Sequence, residues 1–311
     1  MRIIRDHQYI APENKGASVA IGNFDGVHLG HQAVIDLARA GAQRLNAPLG
    51  VMTFEPHPRQ FFAPDSAPFR LMSAEARAAR LDKLGVEVLY ELPFNGSLAG
   101  LSAEAFAHDV IKGLGLCHVV VGNDFQFGKG RSGTAADLAR MGAEMGFDVT
   151  IADMIQGSQG RVSSTAIRQA LADGDPRHAA EMLGHWHRID GPVISGEQRG
   201  RDLGYPTANM SVDGLHLPKL GVYAVLVEVK EGPHKGNYHG VASLGVRPMF
   251  GENTPNLETF IFDFQGDLYG THLSVGLVDY LRPELKFDGL EALITQMDAD
   301  SAKAREILAA L

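Results

Sequence analysis

Gly22-Asn23-Phe24-Asp25-Gly26-Val27-His28-Leu29-Gly30-His31 is the stretch from which the fold of the first half can be read. The apolar run Ser18-Val19-Ala20-Ile21 ahead of it reads as a buried strand. Behind it, in Gln32 to Leu45, the residues Val34, Ile35, Leu37, Ala38, Ala42 and Leu45 recur at helical spacing. Strand, glycine-punctuated turn and helix make the first half of a βαβ unit. Gly22, Gly26 and Gly30 let the chain turn tightly and approach a ligand, and the first turn of the helix offers unpaired N–H groups and the positive end of its dipole. Such a place favours phosphate. His28 and His31 lie three residues apart, so in an opening helical turn both imidazoles point to one side and toward the chain's N-terminal end. A polar helix face and half of a metal site are the other readings of the pair, but zinc wants further ligands, and the single cysteine, Cys117, has no partner pattern.

Working outward, Pro48 to Phe54 reads as a second strand that ends at Glu55-Pro56-His57-Pro58-Arg59, where two prolines flanking a histidine are read as forbidding helix and holding a stiff loop, and Phe61 to Phe69 reads as loop. Helical spacing returns from Ser73 to Leu84, and Val86 to Tyr90 is a third strand. Ser102 is placed to cap a helix over Ala103 to Leu114, and His118-Val119-Val120-Val121 reads as a fully buried strand. Alternating strands and helices imply an α/β unit with a parallel sheet and ligands at the strands' C-terminal ends.

The loop Gly122-Asn123-Asp124-Phe125-Gln126-Phe127-Gly128-Lys129-Gly130-Arg131-Ser132-Gly133 follows that strand. Gly128, Gly130 and Gly133 satisfy GxGxxG, which suggests a dinucleotide site, yet they stand well beyond the strand instead of forming its first tight turn. A P-loop fails on spacing and on Lys129 being followed by Gly130. Further on, Val162-Ser163-Ser164-Thr165-Ala166-Ile167-Arg168 precedes a helix expected to run to about Leu171. The hydroxyls of Ser163, Ser164 and Thr165 suit a helix cap, and with Arg161 and Arg168 they suit a triphosphate clamp.

A chain of 311 residues, 45% hydrophobic and 21% charged, suits about two globular domains. One cysteine excludes an intrachain disulfide, the beginning lacks an apolar leader, and no apolar run approaches the length of a membrane span, so a cytoplasmic location is expected. The net charge of −9 argues against broad binding of nucleic acid or a membrane surface. No motif bears on oligomeric state. Near Leu183-Gly184-His185-Trp186-His187 the pattern changes to short runs of β-formers separated by glycine turns. This predicts a boundary between residues 1–185 and 186–311, with a small antiparallel barrel and a final helix over about Leu290 to Leu311 in the second part. Within it, Gly196-Glu197-Gln198-Arg199-Gly200-Arg201-Asp202-Leu203-Gly204-Tyr205-Pro206-Thr207-Ala208-Asn209 combines glycine and arginine suited to phosphate with hard oxygen ligands, Thr207 and Asn209, of the kind Mg²⁺ accepts. Strand alternation puts Glu258 on one face with Phe260, Phe262 and Phe264.

By residue identity, the first stretch resembles the HxGH signature of nucleotidyltransferases. In its longer form, GNFDGVHxGH, it resembles the adenylyltransferase half of bacterial bifunctional riboflavin kinase/FAD synthetases. The Gly122–Gly133 loop is similar to that family's GxDFxFGxxxxG, and Val162–Arg168 to its ISSTxIR. Class I aminoacyl-tRNA synthetases share the HxGH idea but pair it with a KMSKS-type loop, which is absent from this sequence. Gly200 to Asn209 resembles the GRxLGxPTAN signature of riboflavin kinases, and the likeness continues through Gly221-Val222-Tyr223-Ala224, Glu258, Tyr269-Gly270 and Leu281 to Phe287. One stretch departs: where the family reads NIGxxPTF this chain has Ser243-Leu244-Gly245-Val246-Arg247-Pro248-Met249-Phe250.

The resemblance implies a Rossmann-like nucleotidyltransferase domain followed by a riboflavin kinase-like barrel. It implies ATP, riboflavin, FMN and FAD as ligands and Mg²⁺ as cofactor. Glu258 would be the base that activates the ribityl hydroxyl, with Mg²⁺ on Thr207 and Asn209. His28, His31 and Arg168 would stabilise the departing pyrophosphate. Gly22, Phe24, Gly26, Gly30, Asp124, Phe125, Phe127, Arg161, Ser163, Ser164, Thr165, Gly196, Arg199, Arg201, Gly204, Tyr205 and Pro206 would bind nucleotide or flavin. Two other functions fit parts of the sequence: a flavin-binding regulatory protein with one decayed catalytic half, and a NAD-dependent oxidoreductase built on the GxGxxG.

Overall fold

The computed structural model describes residues 1–153, 156–157, 160–195, 204–249 and 252–311, with backbone alone at 156–157, 160–161, 247–249 and 252–254. The chain forms two compact units: Met1–Ala67 with Ala74–Ser163, and Pro68–Ser73 with Ser164–Leu311.

The first unit is built on strands β1 (Arg2–Ile4), β2 (Ser18–Ile21), β3 (Leu49–Glu55), β4 (Val88–Pro93) and β5 (His118–Gly122), two short pairs, β6 (Gln126–Phe127) with β7 (Gly133–Thr134) and β9 (Gln156–Gly157) with β10 (Gly160–Arg161), and β8 (Asp148–Ala152). The main sheet runs β1-β4-β3-β2-β5-β8, every pairing parallel, as the alternating pattern predicts. The edge strands β1 and β8 are not foreseen in the sequence, because each is largely exposed or half-buried and lacks the continuous apolar run that marks a doubly covered strand. Val19, Ile21, Met52, Tyr90, Val119 and Val121 meet Phe106, Val110, Leu114 and Leu138 in the core.

Two local expectations change. The prolines after β3 do not exclude helix: Pro58–Phe62 is a short helix with Pro58 in its first turn, where the missing N–H costs nothing, and the His57 Nδ1 caps it by accepting from Arg59 N at 3.0 Å. Ser102 caps its helix as expected, accepting from Ala105 N at 3.1 Å, but after one turn the winding widens to π type over Phe106–Lys112.

The second unit carries helices Ser164–Asp173 and Pro176–Leu183, then strands β11 (His187–Pro192), β12 (Thr207–Ser211), β13 (Gly221–Val229), β14 (Gly236–Met249), β15 (Glu252–Ile261) and β16 (His272–Arg282), then the terminal helix Leu290–Ala309. The sheet is antiparallel in the order β11-β16-β13-β14-β15-β12. Its edges meet where Ile194 bridges Asn209, Ile194 N donating to Asn209 O at 2.8 Å, so the sheet closes toward a barrel. Met210, Tyr223, Val225, Leu244, Leu257 and Val275 fill its interior, while Ala304 and Leu308 of the terminal helix pack outside on Ala224, Phe262 and Val278. Compositional change and packing do not coincide along this part of the chain. The β-rich pattern begins near residue 185, yet residues 164–183 already pack with the barrel: Arg177 pairs with Asp279 at 2.9 Å, and Lys219 N donates to Leu171 O at 2.9 Å.

Candidate active sites

In the first unit the strand order reverses between β2 and β5, and that switch point brings together the two loops the sequence singled out, one leaving each strand's C-terminal end. The first loop is tightly held. Phe24, Gly26 and Val27 have φ of 52°, 88° and 45°, and a left-handed β-branched Val27 is a backbone outlier that persists only where surroundings over-determine it. Those surroundings are visible. The Asn23 carbonyl accepts from Thr53 Oγ1 at 3.1 Å and from Arg77 Nη1 at 3.4 Å. Arg77 is wholly buried, and its Nη2 reaches Glu55 at 2.9 Å and Glu91 at 3.1 Å, while Arg5 meets the other Glu91 oxygen at 3.0 Å. Phe24 itself is core, its ring 5.1 Å from that of His31.

His28 is the N-cap of the Leu29–Leu45 helix, one residue outside it, and not a member of the opening turn. Its Nδ1 accepts from His31 N at 3.2 Å, so only Nε2 can donate outward. The two rings stack at 3.6 Å and 13°. Burial, and then the neighbouring His28, hold His31 well below the ordinary histidine range, which favours its neutral form near pH 7. Gly30 serves the same arrangement, since a Cβ there would stand 3.1 Å from the His28 ring.

Beside this turn lies a cavity of about 880 Å³ lined by Gly22, Asn23, Asp124, Phe125 and Phe127 together with Phe54, Phe62, Phe94 and Phe106, His57, Arg59 and Arg131. Phe125 and Phe127 stack at 5.5 Å, and Phe61, Phe62 and Phe94 meet edge to face at 5.2–5.7 Å. The aromatic wall suits a planar ring system and the guanidiniums suit an anion. Its rings outside the Gly122–Gly133 loop are missed by motif reading because they come from β3, the short Pro58–Phe62 helix, the residue after β4 and the start of the Phe106–Lys112 winding, which no local pattern joins. A run of phenylalanines at strand ends is the signal that was available.

The helix after Ser163 begins at Ser164, so Ser164 and Thr165 occupy its first turn instead of preceding it. Arg168 donates from Nε to Phe69 O at 2.6 Å with its guanidinium 5.4 Å from the Phe69 ring, and its own carbonyl lies 3.0 Å from His216 Nε2. The side chain of Arg161 and the whole of Gly196, Arg199 and Arg201 lie outside the described residues.

In the second unit cross-strand register assembles the expected set. Asn209 lies opposite Glu258, which lies opposite Ser243, and Thr207 lies opposite Phe260. Glu258 shares a face with Phe260 and Phe262, as alternation predicts, but not with Phe264: β15 ends at Ile261, and Phe264 turns to the barrel interior. That shared face is not the barrel core. It forms, with the terminal helix, a cavity of about 290 Å³ lined by Tyr205, Thr207, Glu258, Phe260, Leu285 and Phe287 among others. A second cavity, about 320 Å³, takes in Pro206, Thr207, Gly266, Asp267 and Tyr269. Thr207 borders both. Gly204 turns with φ of 81°, and Tyr205 packs on Phe260 at 4.8 Å and hydrogen-bonds Asp298 of the terminal helix. Asn209 and Asn256 are buried and joined, Asn256 Nδ2 donating to Asn209 Oδ1 at 3.1 Å. Ser243, in the stretch that departs from the family pattern, lines the 290 Å³ cavity with Glu258.

Comparison with known proteins matches each half of the chain separately. Residues 10–166 match the family model described as FAD synthetase, and residues 183–308 match riboflavin kinase. Bifunctional riboflavin kinase/FMN adenylyltransferase of Pseudomonas fluorescens is 42% identical over 99% of this chain and 98% of its own length. The protein of that name from Escherichia coli K12 is 38% identical over 98% of this chain and 97% of its own. A solved structure titled as a macrolide-efflux protein from Streptococcus pneumoniae has a TM-score of 0.84 and 34% identity, covering 97% of this chain and 98% of that one. Among the described residues no helix is long and apolar enough to cross a membrane. With both halves matched in order and the full-length likeness well above 30%, the chain belongs to the bifunctional riboflavin kinase/FMN adenylyltransferase family.

Proposed function

We propose that the second unit moves the γ-phosphate of ATP to the terminal ribityl hydroxyl of riboflavin, and that the first joins the adenylyl group of another ATP to the resulting FMN, giving FAD and pyrophosphate. The observation that carries the first step is Thr207 bordering two cavities, with Glu258 in one and the Gly266–Tyr269 turn in the other. The cavity beneath the terminal helix, walled by Phe260, Leu285 and Phe287, suits the flavin, and the other suits the nucleotide. Glu258 then accepts the hydroxyl proton as the oxygen attacks phosphorus.

Thr207 and Asn209 offer neutral hard oxygens beside one carboxylate, a donor set that fits Mg²⁺ completed by nucleotide phosphates. Enzymes of both kinds work with ATP and a divalent metal. When bound, the cation supplies charge neutralisation at the phosphates. Residues 1–185 carry adenylyl transfer and 186–311 the kinase, with Gly196, Arg199 and Arg201 toward phosphate.

In the first unit the FMN phosphate is ionised already and needs no base, so the residues position and stabilise. The aromatic cavity takes the flavin, with Asp124, Phe125 and Phe127 at its wall. The N–H donors of His28 and His31, with Ser163 and Arg161, meet the nucleotide phosphates. Arg168, its Nε held by the Phe69 carbonyl, stabilises the departing pyrophosphate. Phe24 and Gly26 act by shaping the turn. A cytoplasmic location fits these ligands.

The test is single-turnover FMN formation by Glu258→Gln at saturating ATP and Mg²⁺, beside FAD formation from supplied FMN. The first should fall by ~10²–10⁴-fold, typical of a lost general base, and the second should persist. Near-parental FMN formation overturns Glu258 as base. Absence of either product in the parent protein would favour a flavin-binding regulator instead.

A further inference from the structure

We propose that Asn256 is a positioning residue of the phosphoryl-transfer site, setting which end of the Asn209 side-chain amide faces the cation and nucleotide. This rests on the assignment of Asn209 and Glu258 above.

Asn256 and Glu258 are two apart on β15, so they share a face, and register sets Asn209 opposite Glu258 and Ser211 opposite Asn256. Asn256 is 8% exposed and so is Asn209. The Asn256 Nδ2 lies 3.1 Å from Asn209 Oδ1 and 3.4 Å from Glu258 Oε1. The Asn209 Nδ2 in turn points to the Thr207 carbonyl at 3.4 Å.

A carboxamide keeps its shape when turned over, but a hard cation accepts only its oxygen. Sterics therefore cannot orient Asn209, and hydrogen-bond polarity must. An ionised Glu258 is acceptor only, so Asn256 presents its NH₂ group to it and not its oxygen. The same NH₂ then faces Asn209, which must answer with Oδ1. The opposite setting of Asn209 would put two NH₂ groups against each other. Polarity runs from the Glu258 carboxylate through Asn256 to Asn209 and ends on a backbone acceptor, the Thr207 carbonyl. The base thus orients the oxygen that holds the cation, with Asn256 as the connecting link.

Residues that orient a metal's ligands change affinity by 10–100-fold when replaced. The experiment titrates Mn²⁺, by its spin-resonance signal, into the full-length protein with ADP. The component lost in Asn209→Ala identifies the second unit's cation. In Asn256→Leu that component should weaken about tenfold, and the Mg²⁺ concentration that half-saturates FMN formation should rise by a like factor. The riboflavin KM and FAD formation from supplied FMN should hold. Asn256→Asp, nearly the same in shape, keeps the fold but reverses the polarity. Its carboxylate cannot donate to Asn209 Oδ1, so the Mg²⁺ concentration that half-saturates FMN formation should again depart from parent. Parental Mn²⁺ affinity and Mg²⁺ dependence in both Asn256 variants overturn the proposal and leave the Asn209 assignment standing. Parental Mn²⁺ binding in Asn209→Ala overturns that assignment and the proposal together.

Discussion

At the scale of single residues, Gly30 shows how a motif glycine can be needed for a neighbour instead of a ligand. A methyl group there would meet the His28 ring at 3.1 Å, so the ring must shift by a few tenths of an ångström, and the hydrogen bond from His31 N to its Nδ1 shifts with it. We expect Gly30→Ala to lower FAD formation about tenfold, a fraction of what a full ångström of misplacement costs, with FMN formation unchanged. Steady-state assays of the two half-reactions on one preparation check it, and an equal fall in both would count against the separation of sites. Residues of this kind are legible in sequence because their partners are a few positions away: His28, Gly30 and His31 form one local unit, as do Thr207 and Asn209. Arg77 and Asn256 are not legible, since part of what gives each its role stands on other elements. Glu55 and Glu91 flank Arg77 from β3 and β4, and Asn209 faces Asn256 from β12. Alternation along β15 leaves a solvated face and a ligand cavity both open for Glu258, and the terminal helix, by covering that face, makes it the cavity.

Among the elements, the loop between β2 and the Leu29–Leu45 helix is the one whose shape depends most on charge. Its unusual backbone angles at Phe24 and Val27 are held in part through Arg77, which ties the Asn23 carbonyl to two carboxylates. Removing the cation leaves Glu91 buried beside no compensating guanidinium except Arg5, whose side chain is mostly in solvent. Arg77→Met should therefore cost the first unit about 3–5 kcal/mol. The measurement is urea unfolding followed by hydrogen exchange of β3 and β4 amides, and a change within 1 kcal/mol of parent, roughly the scatter of surface substitutions, would show the network to be dispensable. Strand and helix identities for the interior of the sheet follow from apolar runs, because both faces of β2, β3 and β5 are covered. The two edges and the short Pro58–Phe62 helix do not, because edge strands are half polar and two prolines look like a stop until one is seen to sit where a helix begins.

For the whole molecule, three buried or half-buried histidines give stability a shared dependence on pH. Burial holds His187 down to about 3, and it also lowers His118 and His31 from the ordinary value of 6.5. An unfolded chain takes up protons on these rings near pH 6.5 while the folded one does not, so their contribution is full above that value and is lost as pH falls toward 3. Urea midpoints at pH 7.5, 6 and 5 should decline, and His187→Gln should flatten the decline of the second unit by up to ~1.4 kcal/mol per pH unit. An unchanged slope would place that proton uptake elsewhere. Division into two units is visible in composition, but its position is not, because the chain changes packing partner at Ser164 before it changes pattern near residue 185. The short piece Pro68–Ser73 belongs with the barrel although the chain on either side of it does not. Its Phe69 carbonyl waits for an arginine 99 residues further on, which at ribosomal speeds of ~5–20 residues per second is a delay of about 5–20 s. During synthesis, then, the first unit can complete its sheet while the six-residue segment that packs with the barrel still lacks the arginine that its Phe69 carbonyl accepts from, and a nascent chain stalled in that interval presents the segment to chaperones and proteases.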